Sequence, residues 1–146
     1  MPIRIKTFIA TVDGSESATR ALDVAIAMTK AASGTLSLLA VAVPLTQAEQ
    51  TAFERAEGNV ADASDMMAQQ ILKAAEHRLD LAGLTAARTL LKWGDPAEAI
   101  LDAIADLGPD AIVVGRRGRG RLTGLLLGSV SQKLVSLAPC VVVVVP

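Results

Sequence analysis

Two hydrophobic periods alternate along this chain, one of about two residues and one of about 3.6, and few architectures accommodate such alternation. Residues 5–12 form a short apolar run rich in β-branched side chains that stops at Asp13-Gly14, the pattern of a strand. Ala18, Ala21, Leu22, Ala25, Ile26 and Thr29 then recur at helical spacing, with Ser15 or Ser17 placed to cap the helix and Gly34 to stop it. Residues 35–43 are apolar nearly throughout, as in a strand covered on both faces, and end at Pro44. Residues 44–60 show no clear period and read as a mobile connection with a helical turn near Phe53.

The alternation then resumes. A long helix over about 61–82 carries Met67, Ile71, Leu72, Ala75 and Leu79 on its inner face and closes at Gly83. Residues 85–92 read as a third, weaker strand. Asp95-Pro96-Ala97-Glu98 is a strong helix start, with Asp95 as cap and Pro96 at the first helical position. That helix runs through Ile100, Leu101, Ile104 and Leu107 to Gly108. A strand over 111–114, a glycine-rich loop over 115–128, a helix over 129–138 and a strand of five valines complete the order β-α-β-α-β-α-β-loop-α-β. This order implies a parallel, doubly wound α/β sheet with right-handed crossovers. With 146 residues, no internal repeat and no composition break, residues 1–146 are expected to form one domain.

Composition narrows the function classes. A hydrophobic fraction of 51% suffices for a sizeable core and argues against disorder. No apolar run reaches the roughly 18–20 residues of a membrane span. The early charges Arg4, Lys6 and Asp13 break any signal-peptide apolar region, so the cytoplasm is the expected location. The single cysteine, Cys140, permits no internal disulfide and makes a zinc cluster improbable. Net charge −1 and only three aromatic residues argue against nucleic acid as partner. Charge is unevenly placed, however. Residues 116–146 hold Arg116, Arg117, Arg119, Arg121 and Lys133 with no acid, which points to one local anion site.

That site coincides with Gly115-Arg116-Arg117-Gly118, nine residues, then Gly128-Ser129. Gly115 ends a strand, where the backbone turns sharply and a ligand can come close. Gly118 and Gly120 permit the positive φ that lets consecutive N–H groups point into one concavity. Gly128-Ser129 opens a helix whose positive dipole end attracts an anion, and Ser129 with Gln132 has capping-box spacing. The residues alone leave two readings open: a phosphate cradle, or tight turns bearing solvated arginines. Dinucleotide G-x-G-x-x-G and P-loop spacings are both absent.

Four segments, Thr11-Val12-Asp13-Gly14-Ser15, Gly94-Asp95-Pro96-Ala97-Glu98-Ala99-Ile100, the Gly115/Gly118/Gly128-Ser129 loop and Ala138-Pro139-Cys140-Val141, together resemble the universal stress protein family. The glycine spacing is similar to that of its ATP-binding branch, which favours the cradle. The resemblance covers nearly the whole chain and implies a Rossmann-like, adenine nucleotide alpha hydrolase-like sheet of five parallel strands in the order 3-2-1-4-5. Ligands of such sheets sit at the switch point between the first and fourth strands. It further implies that Asp13 and the Val12 backbone meet adenosine and that Val41 offers backbone bonds to adenine. Gly115, Gly118, Gly128, Ser129, Val130 and Ser131 would line ribose and phosphates. Arg116 stands where the family often has a small hydroxyl residue, and with Arg119 it adds positive charge.

The implied ligand is ATP, or ADP or AMP, with Mg or Mn held by the phosphates. The implied assembly is a homodimer through Val141, Val142, Val143, Val144 and Val145, which would cover an otherwise bare apolar edge. The implied function is that of a nucleotide-dependent stress-response sensor or adaptor with an unknown protein partner. A slow ATPase or autophosphorylating phosphotransferase on the same cradle, and a dimeric module that binds nothing, are the alternatives. Against rapid catalysis, residues 115–131 contain no Asp, Glu or His to serve as general base. His77 reads as a solvent-facing residue, Cys140 as a small buried hydrophobe and the Met66-Met67 pair as helix packing. Trp93 reads either as an edge of the nucleotide cleft or as cover for the core.

Overall fold

The computed structural model describes residues 2–57, 63–117 and 127–146. Among them, β1 (Thr7–Thr11), α1 (Glu16–Ala32), β2 (Thr35–Ala42), α2 (Gln47–Glu57), α3 (Ala63–Leu81), β3 (Thr89–Trp93), α4 (Pro96–Leu107), β4 (Ala111–Gly115), α5 (Ser129–Leu137) and β5 (Val141–Val145) follow in order. The strands form one parallel sheet in the order β3-β2-β1-β4-β5.

Strand alternation divides the apolar residues between two cores, since successive side chains point to opposite faces. Phe8, Ala10, Leu36 and Leu38 meet Ala21, Leu22 and Ala25 of α1 and Leu72, Ala75 and Leu79 of α3. Ile9, Leu39, Ile112 and Val114 meet Ile100, Ala103 and Ile104 of α4 and Leu134 of α5. Helices therefore cover both faces, and β1 and β4 are neighbours where the winding reverses.

Local chemistry sets the element ends. Ser15 is the cap of α1, its hydroxyl accepting from Ala18 N–H at 3.1 Å, whereas Ser17 donates its hydroxyl to Val145 C=O at 3.0 Å. Asp95 caps α4 by accepting from Glu98 N–H, with Pro96 in the first turn. The stop of α1 differs from expectation. Ser33, not Gly34, takes the left-handed conformation at φ 50°. Gly34 is needed instead for close approach, because a Cβ there would lie 2.0 Å from Lys6 O, whose carbonyl accepts from Thr35 N–H.

Two further expectations need correction. Residues 44–60 contain an 11-residue helix rather than a mere turn. Its start is a capping box in which Thr46 Oγ1 accepts from Glu49 N–H and Glu49 Oε1 accepts from Thr46 N–H, both at 3.1 Å. The third strand begins at Thr89, not at residue 85. Ala87 N–H still donates to Leu36 O, and Leu38 N–H to Arg88 O, so the chain runs beside β2 before the regular ladder starts.

Candidate functional site

The carboxyl ends of β1, β2 and β4 open onto a cavity of about 270 Å³. Its floor is sheet, from Thr11, Val12, Leu39, Ala40, Val41 and Val114. The first turns of α3 supply Ser64, Met67, Ala68 and Ile71 as one wall, and Pro96 and Ile100 of α4 stand opposite the sheet end. Gly128, Ser129, Val130 and Ser131 at the start of α5 close the polar end, beside Gly115 and Arg117. Most of the lining is aliphatic, with a few polar side chains from several elements, among them Asp13, Ser64, Arg117 and Ser129, the usual make-up of a small-molecule site.

The residues singled out by sequence fall into three groups. Val12, Asp13, Val41, Gly115, Gly128, Ser129, Val130 and Ser131 all line the cavity, although up to 119 residues separate them. Arg116 does not line it. Its N–H donates to Val145 O at 2.6 Å, its carbonyl accepts from Gly128 N–H at 2.9 Å, and Nε is buried without a hydrogen-bond partner among the described residues. Arg117, the next residue, faces the cavity in its place. Gly118, Gly120 and Arg119 lie outside the described residues.

Each lining group has its local cause. Asp13 Oδ1 accepts from Ser15 N–H at 2.9 Å, so the carboxylate supports the α1 cap while facing the cavity. Val12 N–H is taken by Leu39 O, which leaves any backbone contact from Val12 to its carbonyl. Gly115 lacks a side chain for a reason other than ligand access: a Cβ would lie 2.6 Å from Ser17 Oγ and 2.8 Å from Ala18 N. Ser131, 3% exposed, donates its hydroxyl to Gly115 O at 2.8 Å and thereby ties α5 to the end of β4.

The entry into α5 also differs from the sequence reading. Gly128, not Ser129, is the N-cap, at φ −64° and ψ 160°, a conformation open to any residue. Gln132 makes no capping box; its side-chain amide donates to Leu127 O. With no side-chain bond at its cap and no acid in its first turn, α5 contrasts with the capped starts of α1 and α4. Among the described residues the start of α5 thus has no side-chain cap, and its positive dipole end, worth about 0.3–1 kcal/mol toward an anion, meets the cavity.

Sequence reasoning missed the α3 wall. Met67 and Ile71, expected on the inner face of the helix, are half-buried and line the cavity, Ile71 while also packing on the core. Trp93 neither edges the cavity nor covers the core; it is 62% exposed and donates its indole N–H to Asp65. His77 is exposed, as expected. Cys140 is half-buried, and that burial pushes its thiol above the ordinary range. Among the described residues no group of three or more His, Cys, Asp or Glu is placed to hold a metal ion. Nor is any helix among them long and apolar enough to cross a membrane.

Residues 4–146 match the model of the universal stress protein family. A universal stress protein of Thermus aquaticus is 36% identical over 149 residues, spanning 96% of this chain and 98% of the relative. The solved universal stress protein UspA of Lactobacillus plantarum superposes with TM-score 0.76 at 24% identity, covering 99% of this chain and 100% of that one. That of Archaeoglobus fulgidus in complex with dAMP does so with TM-score 0.71 at 19% identity, with 99% and 100% covered.

Proposed function

Since the chain belongs to the universal stress protein family, we propose that its cavity binds an adenine nucleotide, with ATP preferred, and that the bound nucleotide biases contacts with a protein partner. The start of α5 carries the reading: a helix end without side-chain cap or acid opens on an aliphatic cavity at the switch point. In this reading adenine lies among Leu39, Val41, Met67 and Ile71, Asp13 meets the ribose, and the phosphates meet Gly128, Ser129 and Val130. The arginine-rich segment adds attraction with each phosphate, which favours ATP over AMP. The dAMP bound by the Archaeoglobus fulgidus neighbour supports the adenine part. Because residues 115–131 offer no general base, retention of ATP is favoured over rapid turnover. The phosphates themselves would carry any divalent ion.

ATP and AMP titrations, followed by calorimetry and thermal melting in low and high salt, test this reading. ATP at a hundred times its dissociation constant should stabilise the fold by about 2.7 kcal/mol. Gly128→Val should fold with an intact α5, since its backbone conformation suits any residue, yet lose ATP because a branched side chain crowds the helix end. No melting shift at millimolar ATP in folded wild type overturns the proposal.

A further inference from the structure

Trp93 is 62% exposed, contributes nothing to either core and lies outside the cavity, yet its indole N–H is committed to Asp65. Asp65 sits in the first turn of α3, next to Ser64 and two residues before Met67, and both of these neighbours line the cavity. Trp93 is the last residue of β3, an edge strand of the sheet. Gly94, at φ 103°, then turns the chain into the Asp95 cap and Pro96, which lines the cavity from the α4 side. One hydrogen bond therefore joins the start of the α3 wall to the corner that presents the α4 wall.

We propose that the Trp93–Asp65 hydrogen bond is a latch that fixes the start of α3 across the end of the sheet, making both side chains positioning residues for the base end of the nucleotide site. The proposal rests on the adenine-nucleotide reading given above. Its physical content is preorganisation: Ser64, Met67 and Ile71 ride on a helix start that would otherwise have to be ordered when the ligand binds. A plain alternative exists for Asp65, since an acid in a first turn complements the helix dipole by its charge alone. The two roles separate chemically. A latch needs an acceptor oxygen, which Asp65→Asn retains; a dipole partner needs the charge, which Asp65→Asn removes.

Calorimetry with ATP and with adenosine on wild type, Trp93→Phe, Asp65→Ala, Asp65→Asn and the Trp93→Phe/Asp65→Ala double variant decides the matter. The latch predicts roughly tenfold weaker binding of both ligands in Trp93→Phe and in Asp65→Ala, on the order of the 1.4 kcal/mol that a factor of ten represents. It also predicts wild-type affinity within about twofold in Asp65→Asn and no further loss in the double variant. Loss of ATP affinity with adenosine unaffected would overturn it, because the effect would then lie at the phosphate end. An Asp65→Asn as weak as Asp65→Ala would overturn it in favour of the dipole role. Unchanged affinity in both Trp93→Phe and Asp65→Ala would overturn the latch alone, whereas a wild type that binds neither ligand overturns the nucleotide reading and the latch with it. Amide exchange over residues 63–71 without ligand gives a second readout, expected to quicken in Trp93→Phe and Asp65→Ala but not in Asp65→Asn.

Discussion

Two glycines of this chain do opposite jobs, and their substitutions should separate in size. Gly34 is held by proximity, its missing Cβ leaving room for Lys6 O at what would be 2.0 Å. Gly83 is held by conformation: at φ 79° it closes α3, and nothing lies within 4 Å of the place a Cβ would take. Gly83→Ala should cost about 1–2 kcal/mol, the usual penalty for a left-handed alanine. Gly34→Ala forces β1 away from the start of β2 and should cost about 3 kcal/mol or more. Denaturant unfolding of both variants checks the order, and a larger loss at Gly83 would refute it.

At the scale of elements, the starts of β1 and β4 are aligned by a single carboxylate. Asp110 accepts from Lys6 N–H at 2.8 Å and from Thr7 N–H at 3.0 Å, and its own N–H donates to Thr7. The N–H of Lys6 foremost, then Thr7, holds the carboxyl below its ordinary range. A carboxyl depressed in the folded state stabilises the fold above the ordinary carboxylate range and stops doing so as pH falls through its folded value. Asp110→Ala should therefore melt earlier than wild type at neutral pH, and the gap should close in strong acid. A gap that persists unchanged there would assign the effect to something other than ionisation.

Elements also show what a sequence discloses. The caps Ser15 and Asp95, the switch of period and the five valines were legible because each acts within a few residues. The capping box of Thr46 and Glu49 is equally local, yet the largely exposed, polar surface of α2 lacks an apolar stripe, so only a turn near Phe53 is legible there. The α3 wall was illegible for another reason. Met67 and Ile71 have the spacing of core residues, and only the way α3 packs on the sheet shows that both also border a cavity, Ile71 from the edge of the core. The use of Gly115 depends on Ser17 and Ala18, almost a hundred residues away. The sheet order likewise came from family resemblance rather than from periodicity.

The molecule as a whole leaves β5 as one edge of its sheet. Both faces of this strand are used within the protomer: Val143 packs on the α1 side, and Val142 and Val144 pack on the α5 side. A charge at Val143 would damage that packing and would not report on assembly alone. The ladder offers a cleaner handle. Val141 turns its N–H to Asp110 O, and Val145 turns its carbonyl to Arg116, so alternation turns the N–H groups of Val142 and Val144 outward. If two copies pair through this edge, as we propose, Val144→Pro removes an outward donor while sparing the inward ladder. Sedimentation should find a wild-type dimer and a monomeric Val144→Pro with native circular dichroism; a monomeric wild type would exclude the seam.

The latch has an optical consequence. The chain has one tryptophan and no tyrosine, so near-ultraviolet emission comes essentially from a single indole, and that indole is already 62% exposed in the folded protein. Unfolding therefore changes its exposure far less than it would that of a core tryptophan. Its fluorescence is thus a weak gauge of whether the two cores have melted, and far-ultraviolet dichroism must serve for that. What the emission does report is the corner where β3 ends and α3 begins. Collisional quenching of this one chromophore becomes a label-free measure of how firmly that corner is closed.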